Sequence, residues 1–403
     1  MIARKIFPRR LIMRIHVYPI LSALHDSKTI DDQTYALLQK LKDHGDFEIA
    51  VTSLDRLYSA DLGLILVQSG GSEAVFLNLL PRLRPPYYLL TYGTNNSLAA
   101  SMEILSYLKA KNKSAEILHG STDSIARRLL ELGNPIKEEP IRLGIVGKPS
   151  DWLIASKVDK KLCLEKLNMD LIDIDMRELL DGQRNADLFD YRHPEPLVFE
   201  EFELNQSKKT VLALEKIVEK YRLQGLTVRC FDLLDTIHTT GCLGLSLLNK
   251  QGIVAGCEGD VPALLSMALL RKILGQPAFQ ANPSRIDVEN RRVVLAHCTL
   301  PFDMAENVRL MTHFESGIGV AVRGKMKETD VTLFKLGADL RQYHVQEGKI
   351  VANLTEPNLC RTQIEVQLDD VRYFLRGPLG NHHLLVYGHH GEAIREWCES
   401  HLI

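Results

Sequence analysis

Two carboxylates, Glu258 and Asp260, stand where an apolar run passes into the start of a helix. The run from Gly252 to Cys257 predicts the end of a strand, and the apolar segment after Asp260 predicts a helix. At the carboxyl edge of a parallel sheet, such carboxylates can hold a hard cation or move protons. Asp260 is equally explained as a helix N-cap with Pro262 in the first turn. Glu258 has no such structural role, and burial of a carboxylate is costly unless it is paired or metal-bound.

Histidines concentrate in the last third of the chain, at the ends of short apolar runs. They are His297, His313 and the pairs His382-His383 and His389-His390. Each of them alone fits a structural role. One carboxylate on a sheet edge together with an imidazole from a second domain nevertheless gives the mixed oxygen and nitrogen ligands that suit Mn²⁺ or a similar divalent cation.

The composition of the 403 residues is that of an ordinary globular protein, with 45% hydrophobic and 25% charged residues. A formal net charge of −2 gives no electrostatic reason to expect nucleic acid or a membrane surface as a partner. No apolar run reaches the length of a membrane span. Seven cysteines without a C-x-x-C pair predict reduced thiols and a cytoplasmic protein.

Strand and helix patterns alternate over the first two thirds of the chain and give way to short strands afterwards. This order predicts an α/β fold, with two doubly wound parallel-sheet domains followed by a C-terminal antiparallel β-barrel-like domain. The expected domains are residues 1–138, of which 1–12 form a flexible arm, residues 139–280 with Glu258, and residues 281–403 with His382. Within the second domain we expect a helix over 151–167 and an irregular segment over 183–206.

Two motifs resemble those of L-fucose isomerase. The segment Asn381-His-His-Leu-Leu-Val-Tyr-Gly-His-His-Gly is similar to the N-H-x-x-x-x-Y-G-H-x-G stretch that carries the metal-binding histidine of that family, and Cys257-Glu-Gly-Asp resembles its first carboxylate motif. The resemblance covers roughly residues 140 to 403. It implies that Glu258 and His382 are metal ligands and that the protein is a homo-oligomer, either a trimer or a hexamer.

The chain departs from the family at the second carboxylate ligand, where Asn282 replaces an Asp. An amide oxygen can still ligate a cation, but it brings no charge and exchanges no proton at neutral pH. His297 is a further expected ligand, because the related L-arabinose isomerase uses additional histidines. Asp260, Asp287, Glu315 or His297 could replace the missing carboxylate, and the sequence does not choose among them.

The chemistry that the resemblance implies is aldose–ketose isomerisation through a cis-enediol, with Mn²⁺ or another divalent cation and with Glu258 and Asp260 as catalytic residues. The substrate would be a deoxy, pentose or otherwise modified sugar. Four residues are expected to contact it: Trp152, Arg361, His313 and Glu315. Arg361 would bind a carboxylate, sulfonate or phosphate on the substrate, and the alternative is an ordinary surface or interface arginine. Simple packing also explains Trp152. The alternatives are a sugar-binding protein that lost turnover with Asn282, and a metal-dependent lyase or epimerase.

Overall fold

The computed structural model describes residues 13–23, 27–111, 113–133, 139–190 and 198–402. The expected arm over residues 1–12 lies outside this part of the chain. Two compact units are present, Met1–Glu138 and Glu139–Ile403. Among the described helices, none is long and apolar enough to cross a membrane.

The first unit is a parallel sheet with connecting helices. Its elements are β1 (Met13–Ile20), α1 (Ser27–His44), β2 (Phe47–Val51), β3 (Leu62–Val67), α2 (Glu73–Leu79), β4 (Tyr87–Thr91), α3 (Ser97–Ala110), β5 (Ala115–Leu118) and α4 (Thr122–Gly133). The strand order β2-β1-β3-β4-β5 is all parallel. Strands buried on both faces explain the continuous apolar run of β3, as expected for parallel sheets.

The second unit begins with another parallel sheet. Its elements are β6 (Ile141–Val146), α5 (Lys160–Leu167), β7 (Met169–Ile174), α6 (Met176–Arg184), α7 (Glu201–Tyr221), β8 (Gly225–Val228), α8 (Phe231–Ile237), α9 (Cys242–Lys250), β9 (Val254–Cys257) and α10 (Val261–Leu274). The four strands pair in parallel in the order β7-β6-β8-β9. Their carboxyl ends therefore share one edge of the sheet.

An antiparallel barrel completes the second unit. Its region contains β10 (Phe279–Asp287), β11 (Arg292–His297), β12 (Asn307–Met311), β13 (Ala321–Lys325), β14 (Asp330–Leu336), β15 (Tyr343–Asn353), β16 (Thr362–Leu368), α11 (Tyr373–Arg376), β17 (His383–Tyr387) and α12 (Gly391–His401). Six strands close in the order β10-β11-β16-β15-β14-β17, while β12 and β13 form a separate hairpin. The parallel sheets and the antiparallel barrel are those that the sequence predicts.

Helix α10 joins the sheet to the barrel, because it is buried along its first ten residues. Its side chains share one hydrophobic core with β6, β7, β14, β17 and α12. A hydrogen bond strengthens this junction: Gln280 of β10 accepts from the backbone N–H of Cys257 in β9 at 2.8 Å. The carboxyl edge of the sheet is thus held against the barrel.

Two local predictions are wrong, and one strand was missed. The helix expected over 151–167 begins only at Lys160, because Asp159 caps it by accepting from the N–H groups of Lys161 and Leu162. The irregular segment over 183–206 contains the first turns of α7 from Glu201. Strand β10 was not expected, since Pro283 disfavours a central strand. It is accommodated where the register between β10 and β11 shifts.

Candidate metal centre and its cavity

Glu258 occupies a tight backbone turn directly after β9. Its φ of 63° and the φ of 68° at Gly259 are both left-handed, a conformation that costs energy for a residue with a side chain. The turn is fixed from outside, because the Ser150 N–H donates to the Glu258 carbonyl at 3.0 Å. A Cβ on Gly259 would lie 2.6 Å from the Lys148 carbonyl oxygen. The loop after β6 therefore holds the Glu258 backbone in this conformation.

Three side chains converge at this turn from three different elements. Glu258 Oε1 lies 3.3 Å from Nε2 of His382, just before β17, and 3.8 Å from Nε2 of His297, at the end of β11. All three potential ligand atoms lie within 4.8 Å of one another. The structure thus brings the predicted residues Glu258, His297 and His382 together in a geometry that can hold a cation.

Asp260 lies behind His382, away from the cavity. One carboxylate oxygen accepts from the Ala263 N–H at 2.9 Å, which makes it the N-cap of α10. The other oxygen contacts His382 Nδ1 at 2.8 Å. Lys335 of β14 approaches the same oxygen at 3.7 Å. Burial alone would raise the pKa of Asp260, but Lys335 and His382 lower it to about 2. Asp260 is therefore both a cap and an anionic partner of His382.

The two imidazoles are both held by their Nδ1 atoms. His382 contacts Asp260 as described, and His297 Nδ1 lies 3.1 Å from Thr299 Oγ1. The buried His297 Nε2 atom has no hydrogen-bond partner among the described residues. Burial lowers the pKa of His297, which favours the neutral imidazole. Both Nε2 atoms are consequently directed toward Glu258, which is the orientation that a metal site requires.

The charges of the cluster are strongly coupled. Burial would lower the pKa of His382, but its contacts with Asp260 and Glu258 overcome burial and raise this pKa to about 9. Burial would raise the pKa of Glu258, yet His297 and His382 bring it well below its usual value. Without a cation, the site therefore carries an ionised Glu258 and a protonated His382 at neutral pH.

Trp152 contacts Glu258 from the loop after β6. Its indole N–H donates to Glu258 Oε2 at 2.8 Å, and its ring packs edge-on against Phe231 with centroids 4.9 Å apart. The side chain is half exposed. Trp152 was predicted to contact a sugar, and the structure adds a second role, because it orients the carboxylate that faces the two histidines.

A cavity opens beside the cluster. Its wall includes Glu258, Asn282, His297, His313 and Glu315. Four predicted metal or substrate residues therefore share the cavity with Glu258. Asn282 accepts from the Asn381 side chain at 3.2 Å.

Two wall residues have shifted pKa values. Burial, together with the charges of His297 and Arg361, lowers the pKa of His313 to about 4. Partial burial and the nearby Glu258 raise the pKa of Glu315, which lies at the exposed rim. Of the two carboxyl groups in this wall, Glu315 is thus the one whose pKa is raised, whereas that of Glu258 is lowered.

The remaining predicted residues lie outside the cavity wall. Arg361 follows Cys360, which does line the cavity, and its Nε donates to the Thr312 carbonyl at 2.8 Å. Asp287 is a turn residue, since it accepts from Asn290 in the β10–β11 hairpin. Asp287 is thus occupied at the hairpin end of β10, away from Asn282 in the middle of the strand.

Two features of the site were not predicted. Lys335 is a buried lysine within an apolar strand, and a lysine flanked by Phe334 and Leu336 is a signal that the sequence does contain. The second feature is a group of cysteines in the cavity wall. Cys257 directly precedes Glu258 and Cys298 directly follows His297, but their proximity depends on the tertiary fold.

No protein-family model matches the chain. The chain is similar to proteins named sulfoquinovose isomerase. Those of Priestia aryabhattai and Priestia megaterium are 27% identical over 203 residues, covering 46% of this chain and 46% of each relative. That of Alkalicoccus urumqiensis is 23% identical over 195 residues, covering 46% of this chain and 44% of the relative. The chain thus matches less than half the length of these relatives.

Proposed function

We propose that this protein is a divalent-metal-dependent isomerase that interconverts an aldose and its ketose. The observation that carries the proposal is the convergence of Glu258, His297 and His382, with ligand atoms within 4.8 Å of one another, beside a cavity whose wall includes the first two. The similarity to proteins named sulfoquinovose isomerase supports the same class of reaction.

The three residues fit a cation such as Mn²⁺. One carboxylate oxygen and two imidazole nitrogens are suitable ligands, and the buried His297 Nε2 lacks a hydrogen-bond partner in the described structure. A bound cation would supply Lewis acidity toward the sugar oxygens. Asp260 keeps the proton of neutral His382 on Nδ1 and leaves Nε2 as a ligand.

Proton transfer between C2 and C1 of the open-chain sugar requires two groups or one group that acts twice. We assign Glu258 and Glu315, because both carboxyl groups border the cavity. Glu258 remains ionised and accepts the C2 proton as the cis-enediol forms. Glu315 has a raised pKa and can donate to C1, while the proton of the C2 hydroxyl passes to O1. Exchange with solvent then returns both carboxyl groups to their starting protonation states. This assignment replaces the Asp260 role expected from the sequence, since Asp260 is fully buried and occupied by Ala263 and His382.

For the substrate we propose sulfoquinovose, an aldose with a terminal sulfonate, on the basis of the relatives' names. Arg361 is the candidate sulfonate contact. It lies next to Cys360 in the cavity wall and close enough to His313 to lower the pKa of that imidazole. Its Nε is bound to Thr312, and the described residues provide no carboxylate partner for its guanidinium. A guanidinium fork is suited to a sulfonate.

The test combines metal binding with turnover on the same samples. Metal-free protein is titrated with Mn²⁺ by calorimetry and assayed for aldose-to-ketose conversion with sulfoquinovose, L-fucose, L-arabinose and D-glucose. We expect binding and conversion in the wild type, loss of both in His382→Ala, and retention of both in the exposed-histidine control His401→Ala. Conversion that survives complete metal removal, or survives in His382→Ala, would contradict the proposal.

Asn282 supports a second candidate, a sugar-binding protein without turnover. This residue lines the cavity with an uncharged amide where the L-fucose isomerase family, which the sequence resembles, has a carboxylate. The two candidates differ in one measurement. A protein that binds sulfoquinovose with measurable affinity, yet converts none of the four aldoses at saturating Mn²⁺, would be a binding protein.

A further inference from the structure

Five of the seven cysteines line the cavity, although they are scattered in the sequence. They are Cys230, Cys242, Cys257, Cys298 and Cys360. These residues come from the ends of β8 and β9, the start of α9, and the segments that follow β11 and precede β16. All of them are free thiols. The cavity wall is therefore rich in soft sulfur atoms beside the harder oxygen and nitrogen ligands of the metal centre.

The closest thiols are those of Cys230 and Cys257. Their Sγ atoms are 3.0 Å apart, which is much longer than a disulfide bond and shorter than an ordinary contact between two sulfurs. The pairing follows from the sheet, because β8 and β9 are parallel neighbours and Val228 lies opposite Cys257. Cys230 follows Val228 by two residues and occupies the N-cap position of α8. Adjacent strand ends thus present a dithiol to the cavity.

We propose that Cys230 and Cys257 form a binding site for soft, thiol-bridging species, of which trivalent arsenicals are the test class. The ligand atoms distinguish this site from the neighbouring metal centre, because thiolates select soft ions whereas carboxylate and imidazole suit Mn²⁺. The proposal does not depend on the proposed isomerase activity.

The reaction with phenylarsine oxide defines the site chemically. Each thiol forms one As–S bond, the As=O bond breaks, and the two thiol protons leave with the oxide oxygen as water. Arsenic remains trivalent, so no oxidant is needed. The apolar side chains of Phe231 and Leu234 belong to the same wall and can contact the phenyl ring. A reagent that needs two thiols close together selects for the 3.0 Å pair.

The experiment treats the folded, metal-free and sugar-free protein with phenylarsine oxide and reads its intact mass. We expect a single arsenical per chain that resists excess 2-mercaptoethanol and is removed by dithiothreitol, as a chelate on two thiols must be. Peptide mapping of the wild-type adduct should join the peptides of Cys230 and Cys257. This mapping requires no variant to fold.

Variants then test the assignment. Cys230→Ala and Cys257→Ala should each lose the adduct. Cys163→Ala and Cys398→Ala are matched controls, because these buried thiols lie in the core outside the cavity wall, and they should retain it. Absence of a dithiol-specific adduct in the wild type would overturn the proposal. An adduct that maps to Cys298 and Cys360, or persists in both single variants of the proposed pair, would overturn it as well.

Discussion

Asp260 and His382 are joined by a contact of 2.8 Å between a carboxylate oxygen and Nδ1, in a place where both residues are fully buried. The same carboxylate caps α10 through Ala263. A helix start and the orientation of a ligand imidazole thus depend on one side chain. The two explanations of Asp260 that the sequence leaves open, a cap and a functional group, are compatible in the structure.

Asp260→Asn separates these two roles. An asparagine keeps an oxygen for the Ala263 N–H, but then its NH₂ group faces His382 and favours the tautomer with the proton on Nε2. We expect Mn²⁺ affinity to fall by about 10- to 100-fold, with a small change in the melting temperature. Calorimetry and thermal unfolding measure the two effects. Asp159→Asn at the exposed N-cap of α5 is the control and should bind Mn²⁺ normally.

The pH dependence of Mn²⁺ binding should reflect His382. Its pKa is raised to about 9 without metal, so a cation must displace this proton at neutral pH. Because about one proton is released for each ion bound, the apparent Kd should rise about tenfold for each unit of pH decrease below that value. Calorimetry in buffers of different ionisation enthalpy measures the proton release. A Kd that is constant from neutral to alkaline pH would show that His382 is not a ligand.

The free energy of unfolding of the metal-free protein should decrease as the pH rises, whereas the Mn²⁺ affinity increases. A histidine whose folded pKa lies above its unfolded value stabilises the fold when protonated. That contribution is complete below the ordinary pKa of 6.5 and is lost as the pH rises toward about 9. Glu258 and Asp260 stay ionised over this range, since their pKa values are lowered. Denaturant unfolding with a chelator present should therefore show falling stability across this interval, with a shallower fall in His382→Gln.

Trp152→Phe tests the contact between the indole N–H and Glu258 Oε2. Phenylalanine keeps an aromatic ring beside Phe231 and removes the indole N–H donor. A hydrogen bond to a charged group contributes about 1.5–3 kcal/mol. Because Trp152 is half exposed, we expect the lower end, a loss of about tenfold in Mn²⁺ affinity. Trp397→Phe, at the other tryptophan, is the control and leaves Trp152 as the only tryptophan, whose fluorescence then reports on metal binding.

The sequence predicts the architecture well because hydrophobic periodicity and turn residues carry it. The parallel sheets follow from alternating strands and helices, whereas β10 escapes prediction because Pro283 lies within it. Helices α8 and α9 were also missed. Their sequence, Phe231 to Lys250, is rich in small and hydroxyl residues, which are weak helix formers on their own. Tertiary packing decides their structure.

Prediction of the site was limited by long-range geometry. Glu258, His297 and His382 were identified from residue types and from resemblance, and the structure brings them together. Lys335 and the Cys230–Cys257 dithiol were not identified from the sequence, because their positions depend on which strands become neighbours. A lysine in an apolar strand signals a buried charge, but the identity of its partner Asp260 follows only from the packing of α10 on β14.

Asn282→Asp should make metal binding stronger and the metal-free protein less stable. The new carboxylate can still accept from the Asn381 side chain, so the local structure should persist. It adds a negative charge to the wall that holds Glu258, and like charges repel without a cation. We expect about tenfold higher Mn²⁺ affinity and a lower melting temperature that Mn²⁺ restores. Equal affinities in the two proteins would show that residue 282 does not contribute to the metal centre.

Glu315→Gln distinguishes proton transfer from metal binding. Glutamine preserves the size of the side chain at the cavity rim but cannot exchange a proton. If Glu315 is the second acid/base group, kcat should fall by about 100-fold or more, while the Mn²⁺ affinity and KM change by less than about threefold. Initial rates of ketose formation at saturating metal and varied sugar concentration measure kcat and KM, and calorimetry measures the Mn²⁺ affinity.

The control and the pH profile make this prediction specific. Glu306→Gln removes another carboxylate from the same region, one that pairs with Lys325, and should leave kcat unchanged. Because the pKa of Glu315 is raised, the wild-type kcat should decline as that group loses its proton, and this limb of the pH profile should disappear in Glu315→Gln. A wild-type kcat in Glu315→Gln would show that Glu315 is not the second acid/base group. Glu258 would then act alone, as a single carboxylate that removes and returns the same proton.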